Sequence, residues 1–489
     1  MKEEPRVRLL ARGCALGAIV LLGLAVGLDA GQDLRAWFVT AGFLALAGWT
    51  SAGRRGYAAT AIAVVFAALG GLSAVIAVAP GGSGGGAAIP QLRDMALLGV
   101  LSQAQAAPPA PGDASFDYAL ALTVAAGVLA VLAAAWGRVP ATRAVGGADS
   151  PRLIRAGQVM VAVGFVGIGL AGARFVATQP LGGDLWTAAK SFWSGGSYLL
   201  LLAMAAVPGI GVWLSGLLAG DADRREWTRF ALAAGAYCAV TLPTGQRGFI
   251  IQVTLVIVGV LVLAGRISVR RLVAIGIVGV LALGLTQAAR NTAREDGNLS
   301  PAGVAERLKP DRLRVLYGSQ VASFVWTWDV ARYREAVNPI PDTFASVLMK
   351  PIPRQIYPDK VQGFGDEFTR RLYPTATAEQ VAFAAPLVAE ADAAYRWPGA
   401  LLILAAFGAV AGFVERRLWR SGSPLRAVYG VALGWSIFVL LRGDLANATT
   451  VVAAWVVPLV VLAVVERRAA GHDWPRLPRR RAKPARAVV

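Results

Sequence analysis

Three arginines stand directly beside long apolar runs: Arg247 in Thr244-Gly245-Gln246-Arg247-Gly248, Arg290 after Leu285-Thr286-Gln287-Ala288-Ala289, and Arg442 in Arg442-Gly443-Asp444. A guanidinium is costly next to lipid, and its planar fork grips phosphate oxygens through paired hydrogen bonds. A second cationic group lies in Lys350-Pro351-Ile352-Pro353-Arg354-Gln355-Ile356-Tyr357-Pro358-Asp359-Lys360, where prolines preset φ and hold Arg354 and Lys360 in place. The carboxylates that could accept a proton beside these cations are Glu390 and Asp392, with Asp444 next to Arg442. Together these residues suit chemistry on a phosphate-bearing leaving group, with cations stabilising the departing charge and a carboxylate orienting or deprotonating a hydroxyl. Glu390 is the first choice for that carboxylate. The Glu390-Ala391-Asp392 pair could also hold a divalent ion, whereas Asp221-Ala222-Asp223 adjoins Arg224 and Arg225 in a short basic loop and reads as an ordinary turn. The single histidine, His472, sits in a polar terminal stretch, and Cys14 and Cys238 lie inside apolar runs. Histidine catalysis, a zinc site and a disulfide framework are therefore not expected.

The elements that must position these groups are membrane spans. Hydrophobic residues make up 56% of the 489 positions and charged residues only 16%, which excludes an ordinary soluble enzyme. Apolar runs of spanning length fall at approximately 13–28, 36–52, 57–79, 117–136, 156–177, 197–219, 230–244, 248–264, 272–288, 398–414, 427–441 and 449–465. The net charge of +19 would suggest a nucleic-acid partner in a soluble chain. Here the arginines collect in alternate loops: Arg54-Arg55, Arg138 to Arg155, Arg224 to Arg229, Arg266 to Arg271, Arg416 to Arg426, and the Arg479-Arg480-Arg481 tail. That alternation encodes orientation and gives no reason to expect nucleic acid. It places both termini in the cytoplasm. The basic start (Arg6, Arg8, Arg12) followed by an apolar run reads as a start-transfer helix, not a cleaved signal.

On this reading the outer side receives the Gly/Pro-rich 80–117 linker, the 178–196 turn and one large loop from Ala289 to Trp397. Within the loop, Leu313, Leu316, Val321, Phe324 and Trp328 recur near helical spacing, and Trp326, Trp328 and Tyr333 suit an interfacial helix. Prolines from Pro339 to Pro386 forbid long helices there. The expected organisation is thus 1–288 as an N-terminal bundle, 289–397 as an extracytoplasmic loop, 398–465 as C-terminal spans and 466–489 as a basic cytoplasmic tail.

The loop pattern Pro353-Arg354, Pro358 and Lys360, the later Pro386 and Glu390 before Pro398-Gly399, and the earlier Gly245 and Arg247 resemble the bacterial oligosaccharide repeat unit polymerases, the O-antigen polymerase-like membrane glycosyltransferases. The likeness covers topology and three short motifs, mostly within 240–415. Two departures stand out: Ala394-Tyr395-Arg396 replaces the family's Asn-Phe-Gly, and Leu387 replaces a small polar residue. The resemblance implies an all-α, GT-C-like integral membrane protein of about twelve helices in the bacterial cytoplasmic membrane. It implies transfer of a glycan from polyprenyl pyrophosphate to a sugar hydroxyl of another lipid-linked unit, without metal or cofactor. Glu390 and Arg354 would be catalytic, and Arg247, Arg290, Lys360 and Arg442 would bind pyrophosphate or glycan. Partners would be the lipid-linked oligosaccharide, membrane lipid and other envelope glycan assembly proteins. The competing functions are a flippase for a lipid-linked sugar, which the near absence of mid-span charge disfavours, and a glycan ligase, which normally carries an external histidine.

Overall fold

The computed structural model describes residues 4–28, 32–52, 56–74, 114–136, 150–178, 197–220, 222–241, 247–267, 300–308, 323–332, 342–349, 385–420, 425–443 and 445–469, with a few single or paired positions between them. Every regular element among the described residues is a helix, and there is no strand. The helices are α1 (Glu4–Gly27), α2 (Gln32–Ala52), α3 (Tyr57–Phe66), α4 (Ala114–Ala135), α5 (Ser150–Thr178), α6 (Ser197–Met204), α7 (Ala206–Ala219), α8 (Arg224–Thr241), α9 (Arg247–Leu263), α10 (Pro301–Arg307), α11 (Ser323–Arg332), α12 (Asp342–Met349), α13 (Leu387–Arg420), α14 (Arg426–Arg442) and α15 (Leu445–Ala469). α3 runs on directly into a π-helical segment, Ala67–Leu72. Five stretches are long and apolar enough to cross a membrane: Leu9–Gly27, Ala114–Ala135, Ser150–Ala177, Leu199–Ala219 and Leu387–Trp419. Shorter apolar helices occupy Tyr57–Leu72, Gly248–Leu263 and Ala448–Val464. Eleven of the apolar runs read from the sequence coincide with helices among the described residues. The run at 272–288 falls mostly outside them, as does the tail from 470.

The surface of these helices is inverted relative to a water-soluble protein. Large apolar side chains such as Leu9, Ile19, Leu402, Val410 and Phe413 point outward, while alanine and glycine line the contacts. Such a surface suits hydrocarbon, where apolar residues lose nothing by exposure and association depends on close backbone approach through small residues.

The chain forms two compact units, Met1–Ala148 with Ile257–Val452, and Asp149–Val256 with Ala453–Val489. In the second unit α5 and α7 interlock: a methyl at Gly157 would strike the Trp213 backbone, and one at Gly209 would strike Met160. Trp455 donates from Nε1 to Gln252 Oε1 at 2.8 Å, satisfying two buried polar groups.

The first unit is organised by α4 and α13. Gly408 and Gly412, a small-xxx-small pair on α13, lie against the carbonyls of Ala130 and Ala134, and a Cβ at either would come within 2.0 and 2.3 Å of those oxygens. Farther up the same pair of helices Tyr118 meets Asp392. Contacts of 118 with 392 and of 134 with 412 fix the two helices as parallel. α3 runs the other way, starting beside Glu415 and reaching Thr123 with Gly70. α13 itself is not continuous: Arg396 adopts φ 64, ψ −179, and Pro398 follows, so a short helix from Leu387 turns into the long apolar one. The sequence alone starts this helix at Pro398.

Candidate functional site

Starting from α13, the segment that precedes the turn carries both candidate carboxylates. Glu390 is 0% exposed and Asp392 1%. A buried carboxylate requires hydrogen bonds, and both have them. The backbone N–H of Leu445, the first residue of α15, donates to Glu390 Oε2 at 2.7 Å. The Tyr118 hydroxyl donates to Asp392 Oδ1 at 2.5 Å. Glu390 thus complements the free N–H groups and positive dipole end of the last helix, although the two residues are 55 positions apart in sequence. It is a buried tie between two elements, and not the solvated helix-start carboxylate that its place in the sequence would equally allow.

That tie also locates Arg442. The residue ends α14, two positions before α15 starts, so Glu390 anchors the turn that carries it. The guanidinium folds back along its own helix, 5.9 Å from the Phe438 ring centroid, an i, i+4 cation–π contact. The first unit therefore brings together Glu390, Asp392 and the Arg442 turn. Arg247 begins α9 in the second unit, and its side chain lies outside the described residues, as do Arg290, Arg354, Lys360 and Asp444.

A helix from the stretch between 289 and 397 packs at the same end of the first unit. α11 is held by two hydrogen bonds, from the Phe324 backbone N–H to Ser73 Oγ (3.0 Å) and from Trp328 Nε1 to Ser115 Oγ (3.0 Å). Phe116 of α4 meets both Phe324 and Trp328 edge-on, each at 5.4 Å. Of the aromatic residues that the sequence suggested for an interface, Trp328 is buried in the unit's hydrophobic core, as is Phe324 one turn before it. α12 adds a contact of Phe344 with Tyr395, at 5.3 Å between ring centroids. Arg35 joins this end too, pairing with Asp117 at 2.5 Å and donating to the Ala25 carbonyl.

Sequence reasoning missed three features. The first is Tyr118, which nothing in its local sequence marks as a carboxylate partner. The second is the π segment, signalled only by the Gly70-Gly71 pair inside an apolar run. A Cβ at Gly71 would overlap the Thr40 backbone and one at Gly70 the Thr123 methyl, so the widened turn exists where three helices crowd. Such segments occur often at functional sites. Beside it lies a small apolar cleft, partly open, lined by Phe66, Gly70, Thr123, Phe324, Val388 and Leu441. Val388 is two residues from Glu390, and Leu441 is next to Arg442. The third is the backbone of Arg396, the sole non-glycine residue with positive φ among those described.

No group of three or more metal-ligating side chains occurs among the described residues. What the arrangement offers chemically is a pair of buried, hydrogen-bonded carboxylates, a cation-bearing turn and an apolar cleft, gathered at one end of a helical unit whose sides suit lipid. No family model matches this chain, and no curated protein or solved structure matches it either.

Proposed function

We propose that the protein is a membrane glycosyltransferase that polymerises lipid-linked oligosaccharide repeat units at the outer face of the bacterial cytoplasmic membrane. The donor would be a glycan on polyprenyl pyrophosphate and the acceptor a sugar hydroxyl of the next lipid-linked unit. The observation that carries the reading is the gathering of Glu390, Asp392 and the Arg442 turn at one helix end, beside an apolar cleft and under a docked helix of the large loop. A lipid-linked sugar presents the complementary parts: an apolar chain, a pyrophosphate and a polar glycan.

In this mechanism the bond between the anomeric carbon and the pyrophosphate oxygen breaks as the acceptor oxygen bonds to that carbon. The acceptor proton passes to a carboxylate, and the negative charge on the leaving pyrophosphate is stabilised by guanidinium groups. Glu390 remains the first choice for the carboxylate, with Asp392 the alternative. Arg354, Arg247, Arg290, Lys360 and Arg442 are proposed for the pyrophosphate and glycan. Orientation with both termini in the cytoplasm, about twelve spans and an outer loop from 289 to 397 belong to the same proposal. Support against a transport role comes from the placement of buried acidic groups: among the described residues Glu390, Asp392 and Glu415 lie near the ends of α13, not along a path through it.

Deletion of the gene followed by analysis of surface glycan length is the test. Single repeats in place of long chains are expected; normal chain length with failed export would replace this reading by a transporter.

A further inference from the structure

Arg396 holds a backbone conformation, φ 64 and ψ −179, that is essentially a glycine conformation. An arginine there is strained where a glycine would not be. The turn does not need that side chain. Pro398 blocks continuation of the helix, and Gly399 provides the close approach, since a Cβ at Gly399 would stand 2.1 Å from the Tyr395 Cβ. A strained arginine that the turn could replace with glycine points to a task for the guanidinium.

Its surroundings say what the task is. Of the arginines described at this end of the unit, Arg35 is paired with Asp117 and Arg442 lies over Phe438. Arg396 is half-buried and makes no hydrogen bond or ion pair with any described residue. Its two neighbours, Tyr395 at 46% and Trp397 at 56% exposure, are the aromatic types that settle at headgroup depth, and the long apolar part of α13 begins immediately after them. A guanidinium held at that level, without a protein carboxylate, has the geometry to take two phosphate oxygens at once.

We infer that Arg396 binds a lipid-borne phosphate at the membrane surface, six residues along α13 from Glu390. The ligand is either the pyrophosphate of a polyprenyl lipid or the phosphodiester of a bilayer lipid, and both present the same oxygens. The inference needs only that this end of α13 meets the membrane surface, so it stands apart from the polymerase reading and is tested without glycan synthesis.

The experiment uses the full chain in maltoside micelles, which contain no phosphate, and follows thermal unfolding during titration with polyprenyl pyrophosphate or, separately, with phosphatidylglycerol. Wild type should be stabilised by at least one of them. Arg396→Gly should unfold at a higher temperature than wild type without lipid, yet bind that lipid about tenfold more weakly. Arg396→Ala, which keeps the strained backbone and loses the guanidinium, should lose the same binding with no gain in unliganded stability. Selective loss for polyprenyl pyrophosphate assigns the site to that lipid, and equal loss for both assigns it to bilayer headgroups. Failure of wild type to bind either lipid, or wild-type affinity in Arg396→Ala, overturns the inference.

Discussion

α13 carries a buried glutamate near each end, and the two do the same local job in different company. Glu415, near the C-terminal end, accepts from the backbone N–H groups of Tyr57 and Ala58, with Ala58 at 2.8 Å, and so satisfies the start of α3. Glu390, near the N-terminal end, accepts from Leu445 and satisfies the start of α15. Around Glu415 the structure is regular: glycines pack on carbonyls, Arg416 reaches the Ala134 carbonyl, and Thr50 meets Thr60. Around Glu390 lie a second buried carboxylate, a strained turn, a π segment, the docked helix α11 and a small cleft. A cap alone does not require such costly surroundings. The difference separates a residue that holds the fold from one placed where the fold departs from its own rules.

Breaking the regular end should have the largest effect. In Gly408→Val the new side chain enters the space of the Ala130 carbonyl, which is backbone and cannot swing away. α4 and α13 must separate, at an expected loss of at least about 3 kcal/mol. Unfolding in detergent should show a large drop in stability and poor recovery of the folded chain; wild-type stability would mean that these helices do not meet at Gly408. Next comes Glu415→Ala, which leaves two backbone N–H groups at the start of α3 without their acceptor, one of them on the fully buried Ala58. The expected loss is about 2–4 kcal/mol. Glycan polymerised per folded molecule should stay at the wild-type level, because nothing at this end belongs to the proposed chemistry. A selective loss of polymer would erase the distinction between the two glutamates.

How much of this could be read beforehand depends on the range of the interaction. Helix positions were legible because a long apolar run is a local signal of length and composition. Glu390 was legible as a candidate through its place before Pro398-Gly399. Its bond to Leu445, and that of Asp392 to Tyr118, were not: each joins elements far apart in sequence, and no periodic signal announces a partner across a bundle. The docking of α11 was half legible. Phe324 and Trp328 share one helical face, but the same spacing suits lipid headgroups as well as Phe116. The strained turn was not legible: an arginine between two aromatics announces no positive φ, and only the backbone angles reveal it.

A smaller change probes the second carboxylate. Tyr118→Phe removes one hydroxyl from Asp392 and leaves the ring in place, with an expected cost of about 1 kcal/mol. If Asp392 only fills a polar site, glycan length will follow stability and change little. If Asp392 is the proton acceptor, release of this hydrogen bond should shift the pH profile of polymerisation while the yield of folded protein holds.

The least disruptive substitution should draw the sharpest line. In Glu390→Gln the amide oxygen can still accept from the Leu445 N–H, so the tie between α13 and α15 survives and stability should change by less than about 1 kcal/mol. What disappears is the negative charge and the capacity to take a proton. A purely structural cap would tolerate that loss, and glutamine at the other end, in Glu415→Gln, should leave polymer length intact. A proton acceptor would not: Glu390→Gln should yield single repeats at normal protein level. Full-length polymer from Glu390→Gln would make the two glutamates equivalent and move the proposed chemistry to Asp392. Loss of polymer from Glu390→Gln alone would show that two identical caps on one helix have different purposes.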